Sequence, residues 1–204
     1  MSRDQASIDA PRGFKPWESI IHTGYYAIQT TPTTDIFIGD LVETAGNTLL
    51  TPKMGNLIEA VVEESGAAGS LLGIVLGLFD HNFFPVNSMD TADVGNGVIT
   101  GYALVANSPD QLYVAQEDGV ASSIVAANVG LNVESIATHA GSTSTGISGM
   151  EIDSSSVATT ATLAFRLIGV HPDDSISAAG AAGNHCRFIV KLNTAFMGNG
   201  IVGA

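Results

Sequence analysis

The sequence predicts an all-β protein: a small β-barrel followed by a β-sandwich or jelly-roll-like region, with an extended N-terminal arm. Three observations carry that expectation. Short apolar stretches rich in β-branched residues recur along the chain. Gly, Asn and Asp turn signals separate them. The beginning of the chain is punctuated by Pro11, Pro16 and Pro32, and proline together with the residue before it disfavours helix.

Taken in order, residues 1–34 read as the arm. Phe14, Trp17, Tyr25 and Tyr26 sit in it, and an extended segment with aromatic anchors does not float. Two readings stay open: a strand that completes the local sheet, or an arm that clasps a neighbouring subunit. These four aromatics are the candidate interface residues, because large aromatics dominate interface energetics.

Residues 35–108 read as the small barrel. Ile36–Ile38 and Leu41–Glu43 flank a Gly39–Asp40 turn signal. Leu57–Val62 is apolar and partly β-branched, and Ser65–Gly69 reads as a loop. Leu71–Phe79 reads as a strand buried on both faces, because a short continuous apolar run bounded by turn signals fits one. Asn96–Gly97 is a further hairpin signal leading into Val98–Val105.

Residues 109–204 form the second β region. Gln111–Gln116 alternates apolar and polar, as a half-buried strand should. Ser122–Asn128 suits one helical turn, and Ala140–Ser156 is a low-charge Gly/Ser/Thr tract. Ala161–Val170 and Cys186–Leu192 are the clearest strands, joined by the loop Pro172–Asn184. Alternation sets Arg166 on the opposite face from Phe165 and Leu167, and Arg187 on the opposite face from Phe188. With Lys191 these arginines could pair with surplus acids, although solvated strand faces explain them as well.

Composition narrows the function. Of 204 residues, 45% are hydrophobic and only 13% charged, about half the charged share of an ordinary soluble domain, which is about 25%. Either a membrane segment or burial against partners could account for this. The longest apolar run, Leu71–Phe79, is interrupted by Gly73 and Gly77 and is far short of the ~20 residues a membrane helix needs. Burial against partners is the better reading, and small exposed residues are the plainer alternative. Seven Lys plus Arg against twenty Asp plus Glu give a net charge of −13, which argues against nucleic acid and anionic membranes as partners. Cys186 is alone, so no intrachain disulfide forms, and that fits folding in a reducing cytoplasm.

No catalytic pattern stands out. His22, His81, His139, His171 and His185 show no metal-ligand spacing. His185 and Cys186 are adjacent at a strand start, where side chains point to opposite faces, so they cannot form a dyad. Gly95-x-Gly97-x-x-x-Gly101 lacks the helix a dinucleotide fingerprint requires. Asp173–Asp174 and Glu151-x-Asp153 are tight acid pairs, but neither has calcium-loop spacing. The expectation is therefore a non-enzymatic chain with no cofactor and no metal.

Two stretches carry a family resemblance. Gln111–Gly119 followed by Ala126–Asn132, and Gly141–Ser155 followed by Ala158–Leu163, Phe165–Gly169 and Phe188–Asn193, resemble accessory (decoration or cement) proteins of phage capsids. Ile38–Val42 and Leu72–Val75 are similar as well. The resemblance implies a virion protein, typically trimeric, seated on the outer coat shell between capsomers and folded in the bacterial host cytoplasm. Its implied partners are the major capsid protein and further copies of itself, and it implies no active site. The alternative is a host- or glycan-binding virion module, with the 140–156 and 172–184 loops as its surface. A hydrolase is the third class, and it would need a cleft of converging acids.

Overall fold

The computed structural model describes residues 9–29, 35–50, 57–63, 71–89, 99–120, 124–137, 139–174 and 185–193. The fold is all-β. Its strands run in chain order β1 (Lys15–Pro16), β2 (Thr23–Gln29), β3 (Ile36–Phe37), β4 (Leu41–Leu50) and β5 (Leu57–Glu63). They continue with β6 (Leu71–Asp80), β7 (Pro85–Val86), β8 (Ser88–Met89), β9 (Ile99–Ala106) and β10 (Leu112–Gln116). The last are β11 (Asn132–Val133), β12 (Ser135–Ile136), β13 (Glu151–Ile152), β14 (Phe165–Val170) and β15 (Arg187–Leu192). Two single 3₁₀ turns, Ala126–Asn128 and Ser154–Ser156, are the helical elements among the described residues.

The first sheet closes on itself. Its order is β4-β5-β2-β9-β6-β7, and β4 also pairs with β6, so hydrogen bonding runs round five strands and returns. The closing contact is short, since β4 meets β6 only over Leu41–Glu43. The interior is aliphatic: Ile28, Val42, Leu72, Val75, Leu78, Ala103 and Val105 are buried together, with Ile36 and Met89 from the small β3–β8 sheet.

β6 shows why the sequence has an unbroken apolar run at this point. Leu72, Val75 and Leu78 face the barrel interior, while Leu71 and Ile74 join a second cluster outside it. Register shifts where Val42 and Glu43 meet Gly73 and Leu71, and again between Val75 and Gly77, allow this departure from strict alternation. Gly73 is required by proximity, since a Cβ there would lie 1.9 Å from the carbonyl oxygen of Ala106.

The second sheet is open, with order β1-β10-β15-β14-β11. One face carries Tyr113, Ala115, Phe165, Leu167, Phe188 and Val190, which pack with Leu41, Leu71, Ile74 and Ala106 of the barrel wall. The barrel wall therefore supplies the opposing layer of the sandwich. The low-charge tract helps to close this seam: the Ile38 N–H donates to Gly146 and the Ser148 N–H donates to Ile38, both at 2.9 Å. The 140–156 tract is thus largely an internal contact, with Ser148, Met150, Glu151, Ile152 and Ser154 buried.

Over 9–29 the N-terminal residues follow the first of the two readings left open, strands that complete sheets of their own chain. β1 is the edge strand of the open sheet, and β2 is a central barrel strand between β5 and β9. The aromatics of these residues have partners within their own chain, which is why the segment docks. The strands on either side of Gly39–Asp40 do not form the expected hairpin with each other: β3 pairs with β8, and β4 with β5 and β6. The turn itself is present, because Asp40 accepts the Phe37 N–H at 2.7 Å and Gly39 takes a φ of +99°. The loop expectations for Ser65–Gly69 and Asn96–Gly97 and most of Pro172–Asn184 lie outside the described residues, as do parts of Ser122–Asn128.

Candidate functional site

The four aromatics singled out from sequence separate in space. Phe14 is 1% exposed and stacks on Phe165, with ring centroids 4.6 Å apart. Gly13 delivers it there with a φ of +64°, and a Cβ on Gly13 would meet Ser148 Cβ at 2.5 Å. Trp17 sits edge-on to His171 at 5.0 Å. The Gln111 side chain fixes its segment by accepting the Ile21 N–H at 2.9 Å and donating to the Ser19 carbonyl at 3.3 Å. Tyr26 accepts from Asn107 at 2.6 Å and packs against the barrel clusters. Phe14, Trp17 and Tyr26 thus make contacts within their own chain, and Tyr25 is the most exposed of the four.

Tyr25 belongs to an aromatic group on the outer face of the barrel. Its ring lies 5.7 Å from both Phe79 and Phe83, and Phe83 stacks on Tyr102 at 4.1 Å. Next to Phe83 in the turn between β6 and β7, Phe84 is 67% exposed. Sequence reading missed Phe79, Phe83 and Phe84 as surface candidates. The apolar run conceals which face of β6 each residue takes, and the signal that could have found them is the pair of phenylalanines in a turn.

The titratable groups gather at one end of the open sheet. His139 Nδ1 lies 3.1 Å from Glu151 Oε2, and its Nε2 lies 3.6 Å from Asp9 Oδ2. His185 Nδ1 stands 3.8 Å from the other oxygen of Asp9. Glu151 is fully buried, whereas the His139 and Asp9 side chains are about half exposed. Strand pairing holds Glu151 opposite Ile136. Close backbone packing brings His139 to it, since a Cβ on Gly149 would meet the His139 carbonyl oxygen at 2.1 Å. The Ala10 N–H donates to Gln116 Oε1 at 3.3 Å and so places Asp9. Asp9 lies more than a hundred positions from His139 and Glu151, which are themselves 12 apart, so no spacing motif could reveal the group.

Behind this group, on the core face of the same sheet, Glu117 is 0% exposed. One carboxylate oxygen accepts the Ile124 N–H at 2.8 Å, and the other has no hydrogen-bond partner. Burial pushes its carboxyl up to about 7, against the pull of backbone N–H groups of Ile124 and Cys186. In the turn just after β14, Asp174 takes two hydrogen bonds from the Arg187 guanidinium, at 3.1 and 2.8 Å. Burial alone would raise the Asp174 carboxyl, but those bonds and the Arg187 charge outweigh it and hold it below its usual range. Lys191 pairs with Asp110 at 2.7 Å. Two of the three strand cations therefore have acid partners.

Comparison with protein-family models, curated proteins and solved structures finds no match to this chain. Among the described residues, no helix is long and apolar enough to cross a membrane.

Proposed function

We propose that the protein is a non-catalytic structural subunit that seats on the outer surface of a phage capsid as a homo-oligomer and stabilises the coat shell. The observation that carries the reading is the aromatic outer face of the barrel, open at Tyr25 (39% exposed) and Phe84 (67% exposed), on a chain with only 13% charged residues. A partly exposed aromatic cluster on a charge-poor surface is the kind of patch that a protein contact covers. The capsid as the larger assembly rests on the resemblance of 111–119, 126–132, 141–155, 158–163, 165–169 and 188–193 to capsid accessory proteins. The charge of −13 supports a place away from the packaged genome.

The test is the mass of the purified protein in solution, alone and with empty coat shells. The expected result is an oligomer that co-sediments with shells and raises their heat resistance. Phe84→Ser is expected to fold normally and to weaken both behaviours. A monomer indifferent to shells would overturn the reading.

A further inference from the structure

Where the N-terminal segment crosses the end of the open sheet, Asp9, His139 and Glu151 each bring one nitrogen or oxygen donor atom to within 4.8 Å of the other two. We propose that these three side chains form a binding site for one divalent transition-metal ion of the zinc class. The ion would tie the N-terminal segment to the β12–β13 pair. The proposal is independent of the capsid reading and holds for any assembly the chain enters.

Electrostatics comes first. Glu151 is 0% exposed, and a carboxylate taken out of water needs compensating positive charge as well as hydrogen bonds. The His139 imidazole lies 3.1 Å from Glu151, and a second carboxylate, Asp9, lies on the other side of that ring. With histidine neutral, two carboxylates give the group a local charge of −2, which a divalent cation balances. The overall charge of −13 raises the local concentration of cations further.

The donor set selects among cations. Calcium takes about 6–8 oxygen ligands and magnesium a nearly ideal octahedron of oxygens. One imidazole with two carboxylates is instead a nitrogen and oxygen set suited to zinc and its neighbours. Donors held ~2.0–2.2 Å from zinc stand roughly 3.3–3.6 Å apart at tetrahedral angles. The two contacts of His139, 3.1 and 3.6 Å, are made by its two different nitrogens. With one donor atom per residue the three lie within 4.8 Å of one another, so binding would draw them together by up to roughly 1 Å. The ring now lies between the two carboxylates, while coordination uses one nitrogen. At 47% side-chain exposure it has room to turn.

The surroundings orient two of the ligands. The hydrogen bond from Ala10 to Gln116 carries Asp9 to the site, and His185 Nδ1, 3.8 Å away, faces the Asp9 oxygen that points away from His139. Strand pairing with Ile136 fixes Glu151. A partner on the outer side of a ligand is the arrangement that tunes metal affinity. The fourth position is left to water or to a donor from a neighbouring subunit.

The experiment uses the full chain, stripped with a chelator and titrated with Zn²⁺ by calorimetry and with Co²⁺ by visible absorption. The expected result is saturable uptake of about one ion per chain, with the absorption of a tetrahedral cobalt centre and a higher melting temperature. Asp9→Asn and His139→Ala, both at half-exposed positions and therefore safe for folding, should each weaken binding by roughly 100-fold or more, because loss of a direct ligand costs at least as much as loss of an outer-shell partner. His81→Ala, in the β6–β7 turn, should leave the affinity unchanged. Absence of saturable uptake would overturn the proposal and leave His139 as an ion-pair partner only. So would an affinity that ignores both Asp9→Asn and His139→Ala, or one that falls equally in His81→Ala.

Discussion

The barrel and the open sheet meet the same problem, satisfying strand edges, in opposite ways. The barrel closes its hydrogen bonding in a ring, and the interior side chains described there are mostly aliphatic. The sheet ends on two-residue strands, β1 and β11, and finishes its borders with loops and buried polar side chains. Gln111, Glu117, Asp118, Ser135, Ser148, Glu151 and Ser154 are all buried in or beside it. Closure yields a quiet core, whereas an open border gathers chemistry. Glu117 and Glu151 are buried at the sheet's border, while the outer face of the barrel carries the aromatic group around Tyr25 and Phe83.

The largest expected effect comes from breaking the seam the two halves share. Phe14→Ala removes a ring that is 1% exposed and stacked on Phe165, and is expected to cost about 3–5 kcal/mol. Chemical denaturation would measure it, and one cooperative transition should persist if the halves unfold together. A change below 1 kcal/mol would mean that the N-terminal segment adds little to the seam.

Next is a pH effect confined to the sheet. The folded Glu117 carboxyl is raised to about 7, above its unfolded value, so the folded state holds that proton more tightly. Its contribution is fully present below the unfolded pKa and is lost as pH rises through about 7. The swing is on the order of a few kcal/mol. Stability measured between pH 5 and pH 8 should fall in the wild type and stay flatter in Glu117→Gln. Equal slopes in the two proteins would remove Glu117 as the cause.

The smallest effect tests one hydrogen bond across the junction. The Tyr113 hydroxyl donates to the Ala106 carbonyl at 2.7 Å, joining β10 to the end of β9. Tyr113→Phe is expected to cost about 1–2 kcal/mol, because it leaves a buried acceptor short of a donor. Thermal unfolding would read it, and no shift would mean that the carbonyl is served by other donors.

The strands were legible where apolar pattern and turn signals agree. Leu71–Phe79, Val98–Val105, Gln111–Gln116 and Cys186–Leu192 each coincide with a strand to within a residue or so. Ala161–Val170 was read too long, because Ala161–Ala164 sits in turns before β14 begins at Phe165. The partners of those strands were not legible. β1 pairs with β10 and β2 with β5 and β9, and periodicity carries no information about which distant strand is the neighbour. The Asp9–His139–Glu151 group was hidden for the same reason. Phe14 was found as an aromatic that must be anchored, but an exposed anchor and a core residue have the same signature in sequence. The titration of Glu117 was equally invisible, since it depends on alternation placing an acid on the core side of β10.

The long-range pairing of β1 and β2 sets an order of events during synthesis. β2 emerges from the ribosome early, yet its antiparallel neighbour β9 begins at Ile99 and the partner of β1 begins at Leu112. Everything up to β10 must exist before β1 and β2 are both covered, and a topology of such non-local pairings folds slowly, on a scale of about milliseconds to seconds. Through that interval an unpaired apolar strand stays open to other chains. Nascent copies made close together would then meet before each is finished, so yield should depend on expression rate and temperature more steeply than final stability alone implies.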